Sequence, residues 1–126
     1  MQKKNLGKIF IVEDNELNLK LFSDLLVANH YSIEYTKDGN LAADMIRDFM
    51  PNLILVDIQL QSMSGIDIIK QIKEDKIIGL IPIIAVTAFA MKDDKERIMA
   101  SGCDGYIAKP ISIEPFLETI ANFIKR

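Results

Sequence analysis

Cysteine and histidine each occur once, as Cys103 and His30. A lone cysteine excludes an internal disulfide and fits a reducing compartment. A lone histidine at the far end of the first helical pattern cannot complete a zinc site. Basic residues are outnumbered: 15 Lys and Arg against 18 Asp and Glu leave a net charge of −3. No basic stripe is visible, which argues against direct nucleic-acid binding. The stretch Ile77–Met91 is nearly all apolar, yet it is shorter than the roughly 18–20 residues a membrane span requires. Gly79, Pro82 and Thr87 interrupt it, so it reads as a loop followed by a buried strand. Met1–Gly7 lacks the apolar core of a secretory signal. Fixed-period repeats, low-complexity tracts, Gly/Ser linkers and nucleotide-binding motifs are missing as well.

What is present is alternation. The 126 residues, 49 % of them apolar, suit one domain over 1–126 with its core in 8–125. Short β-branched runs lie at Ile9–Val12, Ser32–Thr36, Leu53–Val56, Ile83–Val86 and Tyr106–Ala108. Most are apolar at consecutive positions, as strands buried on both faces should be. Helical patterns lie between them. Glu16–Ala28 offers Leu17, Leu21 and Leu25 with Phe22 and Leu26; Asn40–Phe49 offers Leu41, Ala42, Met45, Ile46 and Phe49. Gly65–Glu74 carries Ile66, Ile69 and Ile72, and Glu114–Lys125 carries Phe116, Leu117, Ile120, Ala121 and Ile124. Asp93–Ala100 is weaker, anchored by Ile98 and Met99. Asn15, Ser64 and Ser112 fit as N-caps. Five strand–helix repeats imply a (βα)5 α/β unit with a parallel sheet and right-handed crossovers.

The apolar runs end on charge. The first stops at Glu13 and Asp14, the third at Asp57, and the fifth at Lys109 with Pro110 behind it. Open α/β sheets bind ligands beyond the carboxyl ends of their strands, so three carboxylates and one ammonium are expected in one crevice. Hard oxygen ligands suit Mg²⁺ or Mn²⁺. Asp14 and Asp57 are the expected direct ligands, Glu13 acts through water, and the main-chain oxygen of Gln59 supplies a third protein ligand. Asp57 is also a candidate nucleophile, because carboxylates form acyl phosphates. Lys109 balances phosphoryl charge from the opposite side, and Thr87, ending the fourth strand, can donate its hydroxyl to a phosphoryl oxygen. Pro110 permits a cis peptide after Lys109. Cys103 and the methionines read as packing.

The segments Ile11–Asn15 (IVEDN), Leu53–Leu60 (LILVDIQL), Ser64–Gly65, Ala85–Ala90 (AVTAFA) and Gly102–Pro110 (GCDGYIAKP), with the closing helix, resemble the receiver domain of two-component response regulators. The likeness runs from Lys8 to Lys125. It implies a flavodoxin-like, doubly wound five-stranded parallel sheet of order 2-1-3-4-5. It also implies Asp57 as phosphoacceptor, Glu13 and Asp14 as the acidic pocket, Thr87 and Lys109 as switch hydroxyl and phosphate-sensing lysine, and Tyr106 as an aromatic switch. Gln59 and Phe89 occupy the two positions that tune dephosphorylation. An apolar Phe89 offers no charge to orient an attacking water, so slow hydrolysis is expected. Within the family, VEDNELNLKLFSDLL, AVTAFAMKDDKERI and YIAKPISIEPFLETI are most similar to a single-domain regulator of cell division. Two departures stand out. Leu60–Gln61 replaces the usual Met–Pro, which implies a looser loop, and Glu13 replaces the commoner Asp.

The resemblance implies a phosphorelay protein in the cytoplasm, polar through its partners. It exchanges phosphate with a histidine kinase/phosphatase or a histidine phosphotransfer protein and signals through the fourth helix, fifth strand and fifth helix. Such a protein catalyses only its own phosphorylation and dephosphorylation. It needs no nucleic acid or membrane and is a monomer or weak dimer. Other readings are a receiver belonging to a hybrid kinase or transcription factor, and a docking module that is not phosphorylated. A hydrolase with an aspartyl-phosphate intermediate usually needs a second acid where this chain has Gln59.

Overall fold

β-branched runs that are apolar at every position can only be buried on both faces, and the computed structural model gives them that environment. It describes residues 5–61, 63–88 and 91–125. The strands are β1 (Gly7–Val12), β2 (Tyr31–Thr36), β3 (Leu53–Asp57), β4 (Ile83–Thr87) and β5 (Gly105–Ala108). All pair in parallel in the order β2-β1-β3-β4-β5, the order the resemblance implies. The helices are α1 (Glu16–Ala28), α2 (Ala42–Phe49), α3 (Gly65–Glu74), α4 (Lys92–Ala100) and α5 (Ile113–Ile124).

Alternate strand residues feed two cores. Ile9, Ile11, Leu53, Leu55, Ile84 and Val86 pack with Leu19, Phe22 and Leu26 of α1 and Phe116 and Ile120 of α5. Phe10, Val12, Ile54, Val56, Ile83 and Ala85 face α2, α3 and α4. The Phe22 and Phe116 rings stack at 5.6 Å between centroids, joining α1 to α5. Among the described residues no helix is long and apolar enough to cross a membrane.

Local signals set the helix ends. Asn15 caps α1 by accepting from Asn18 N, and Ser64 caps α3 by accepting from Ile66 N. Ser112 stands at the N-cap of α5 but makes no such bond. Met50 closes α2 in the left-handed region at φ 49°, with Pro51 behind it.

Three helix faces differ from the sequence reading. In α1, Leu17 is 79 % and Leu21 42 % exposed, while Leu19 is buried. Leucine occurs on too much of this helix for the pattern to fix its phase, and the sheet selects 19, 22 and 26. In α4, Ile98 is buried and Met99 is 43 % exposed: the buried face of this helix is narrow, and the turn of about 100° per residue carries Met99 off it. α2 starts at Ala42 rather than Asn40. Asp38 accepts from Asn40 N and sets a short 3-10 turn over Gly39–Leu41, which leaves Leu41 exposed.

Candidate functional site

β1 and β3 are neighbours in the sheet, so their carboxyl ends deliver Glu13, Asp14 and Asp57 to one place. One carboxylate oxygen from each lies within 4.8 Å of the others. Glu13 is fully buried, Asp57 is 3 % exposed, and Asp14 is half-buried at the rim. From β5, two strands beyond β3, Lys109 Nζ reaches Asp57 Oδ2 at 2.9 Å and stands 3.7 Å from Glu13 Oε1. Its main-chain N donates to Thr87 O at 2.7 Å, which locks the ends of β4 and β5 together. Thr87 is buried at the end of β4. The Lys109–Pro110 peptide is cis.

Main-chain donors fix the carboxylates. Gln59 N donates to Asp57 Oδ1 at 2.9 Å, so each Asp57 oxygen has a partner. Asn15 N donates to Glu13 Oε2 at 3.2 Å. Gln61 N donates to Asp14 Oδ2 at 2.8 Å. A proline at 61 would have no N–H to offer, so the loop expected to be loose is tied to the acidic pair.

The group carries more negative than positive charge. Burial pushes the Glu13 carboxyl up to about 7, helped by adjacent Asp57 and opposed by the Asn15 N–H and Lys109. Glu13 Oε1 is the buried side-chain oxygen left without a hydrogen-bond partner among the described residues. A buried acceptor with no donor, inside a set of hard oxygens, is the environment a small divalent cation satisfies.

Not every expected residue belongs to this crevice. Tyr106 on β5 is half-buried against the α2–α3–α4 core, with Lys95 Nζ 5.4 Å from its ring centroid. Phe89 lies outside the described residues. The Gln59 side chain reaches the end of β4, where its Oε1 accepts from Ala88 N at 3.0 Å.

Two contributors carry little signal in the sequence. Ala88 takes part through its backbone, which its residue type does not mark. Gly65 is needed because α3 starts directly on the β3 backbone. A Cβ there would collide with the Asp57 carbonyl oxygen and come within 2.6 Å of Ile58 Cα. The Ser64–Gly65 pair was its only trace.

Residues 9–121 match the response regulator receiver domain family. The polar-differentiation response regulator DivK of Brucella ovis is 52 % identical over 116 residues, covering 92 % of this chain and 94 % of that protein. Among solved structures, the receiver domain of a sensor histidine kinase from Pseudomonas aeruginosa, with a magnesium ion coordinated in its active-site cleft, superposes with a TM-score of 0.87. It is 27 % identical, covering 95 % of this chain and 98 % of that one. Chemotaxis protein CheY4 of Vibrio cholerae shares the fold, with a TM-score of 0.87 at 23 % identity over 93 % of this chain and 98 % of that one.

Proposed function

The chain belongs to the response regulator receiver domain family, and from that premise we propose that it is a signalling switch thrown by phosphorylation of Asp57. The observation that carries this is the setting of Asp57. It is buried in an acidic cluster, with one oxygen on Gln59 N–H and the other on the Lys109 ammonium.

Phosphoryl transfer asks a protein mainly for alignment and charge compensation. An Asp57 carboxylate oxygen attacks phosphorus of a phosphohistidine on the donor protein. A new O–P bond forms as the N–P bond breaks, and the imidazole nitrogen leaves with the bonding pair and takes up a proton. Lys109 holds the acceptor carboxylate before transfer and balances phosphoryl charge after it. Thr87 donates its hydroxyl to a phosphoryl oxygen.

Asp14, Asp57 and the Gln59 main-chain oxygen would hold Mg²⁺ or Mn²⁺, with Glu13 acting through water. The ion would supply the remaining positive charge at the transferring group. The unpartnered Glu13 Oε1 and the excess of carboxylates support that fit. Loss of the phosphoryl group is slow, because neither Gln59 nor Phe89 brings a charge to orient water.

The donor is a histidine kinase/phosphatase or a histidine phosphotransfer protein. Output runs through α4, β5 and α5, with Tyr106 as the aromatic switch. The loose anchoring of α4, with Ile98 its buried side chain, supports this face as the one that moves. Similarity to a polar-differentiation regulator supports a role in cell division and a polar position in the cytoplasm through partners.

The test is intact-protein mass after incubation with acetyl phosphate and Mg²⁺, beside Asp57→Asn and a chelator control. One added phosphoryl group that both controls abolish is the expected result. An unmodified chain, under conditions that modify a known receiver, would leave a docking module that does not turn over phosphate.

A further inference from the structure

Parallel strands exchange main-chain hydrogen bonds at every second residue. On the β3–β4 seam, Ile54 N donates to Pro82 O at 3.0 Å and Ile58 N donates to Val86 O at 2.9 Å. Continued by one rung, the ladder would send Ala88 N to Ile58 O. Ile58 O instead accepts from Gly65 N at 3.1 Å, where α3 begins. Ala88 N donates to Gln59 Oε1 at 3.0 Å. A side-chain amide thus stands where a strand carbonyl would be, directly after Thr87. The same residue holds Asp57 Oδ1 through its main-chain N. Gln59 therefore joins the acceptor carboxylate to the loop after β4.

We infer that Gln59 is a displaceable strap: its amide oxygen occupies the Ala88 N–H in the phosphate-free protein and gives that donor up to a phosphoryl group on Asp57. This rests on the reading of Asp57 as phosphoacceptor. The phosphoryl group brings negative charge and three strong acceptor oxygens to the mouth of the crevice. Bonds to charged acceptors are roughly twice as strong as neutral ones, so the N–H passes to the anion. The displaced amide sits on an exposed, flexible side chain and rehydrates at little cost. While in place, the strap ties the loop after β4 to the loop after β3. The contact exists only without phosphate, so its strength subtracts from the affinity for the phosphoryl group.

Two substitutions separate the parts. Gln59→Met keeps the length and removes the acceptor; Gln59→Glu keeps an acceptor and adds charge. Ala88 amide exchange is measured by NMR without ligand, and binding of trifluoroberyllate, a phosphoryl analogue, is measured with Mg²⁺. An exposed neutral hydrogen bond contributes at the low end of the usual range, so Gln59→Met should bind trifluoroberyllate about two- to fivefold more tightly than wild type. Its Ala88 amide should exchange faster, and Gln59→Glu should bind more weakly than Gln59→Met. Ala88 exchange that ignores Gln59→Met, or trifluoroberyllate binding that is unchanged or weaker in it, overturns the strap while wild-type binding stands. A wild type that binds Mg²⁺ but no trifluoroberyllate overturns the phosphoacceptor reading, and the displacement with it.

Discussion

Glu13 is the residue whose chemistry depends most on its surroundings. Its carboxyl has an ordinary value of 4.5 and sits at about 7 in the folded chain, first because it is buried and then because Asp57 is beside it. The folded state therefore holds this proton more tightly than the unfolded chain. Its contribution to stability is complete below 4.5 and is lost as pH rises to about 7. A cation in the crevice must displace the same proton. Calorimetric titration with Mg²⁺ at about pH 6, in two buffers of different ionisation heat, should show close to one proton released. Apparent affinity should climb with pH and level off above 7. Glu13→Gln should abolish the proton release, and an equal release from that variant would assign the proton elsewhere.

Among the elements, the helices divide into well-anchored and poorly anchored ones. α3 buries Ile66, Ile68, Ile69 and Ile72, whereas α4 buries Ile98. Ile98→Ala should cost about 2–5 kcal/mol of local stability. Hydrogen exchange should then accelerate across 92–100 while β1, β3 and β4 keep their protection. Uniform acceleration would mean that α4 unfolds only with the whole chain. The positions of β1, β3 and β4 were legible in the sequence because a fully apolar run has one stable environment, buried on both faces. The strand-end charges were legible because each breaks such a run abruptly. The phase of α1 was not, since Leu17, Leu19 and Leu21 are chemically alike and only the sheet chooses Leu19. Nor was the Gln59–Ala88 bond, which joins positions 29 residues apart through a backbone donor.

At the scale of the whole molecule, stability and chemistry sit at different depths. The stacked Phe22–Phe116 pair ties α1 to α5 inside the core, and neither ring supplies a polar group to the acidic cluster. Phe116→Ala should cost about 3–5 kcal/mol in urea unfolding. The fraction that stays folded should still take phosphate from acetyl phosphate at the wild-type rate. A rate that falls in the folded fraction would show that α5 packing sets the geometry at Asp57.

Lys109 follows the last strand, 52 residues after its partner Asp57. A chain still being made, with β5 inside the ribosome, has Asp57 but not the ammonium that pairs with it. A copy clipped before β5 is in the same condition. On the reading of Asp57 as phosphoacceptor, such copies should take up less phosphate than the finished chain, since they lack the charge that balances the transferring group.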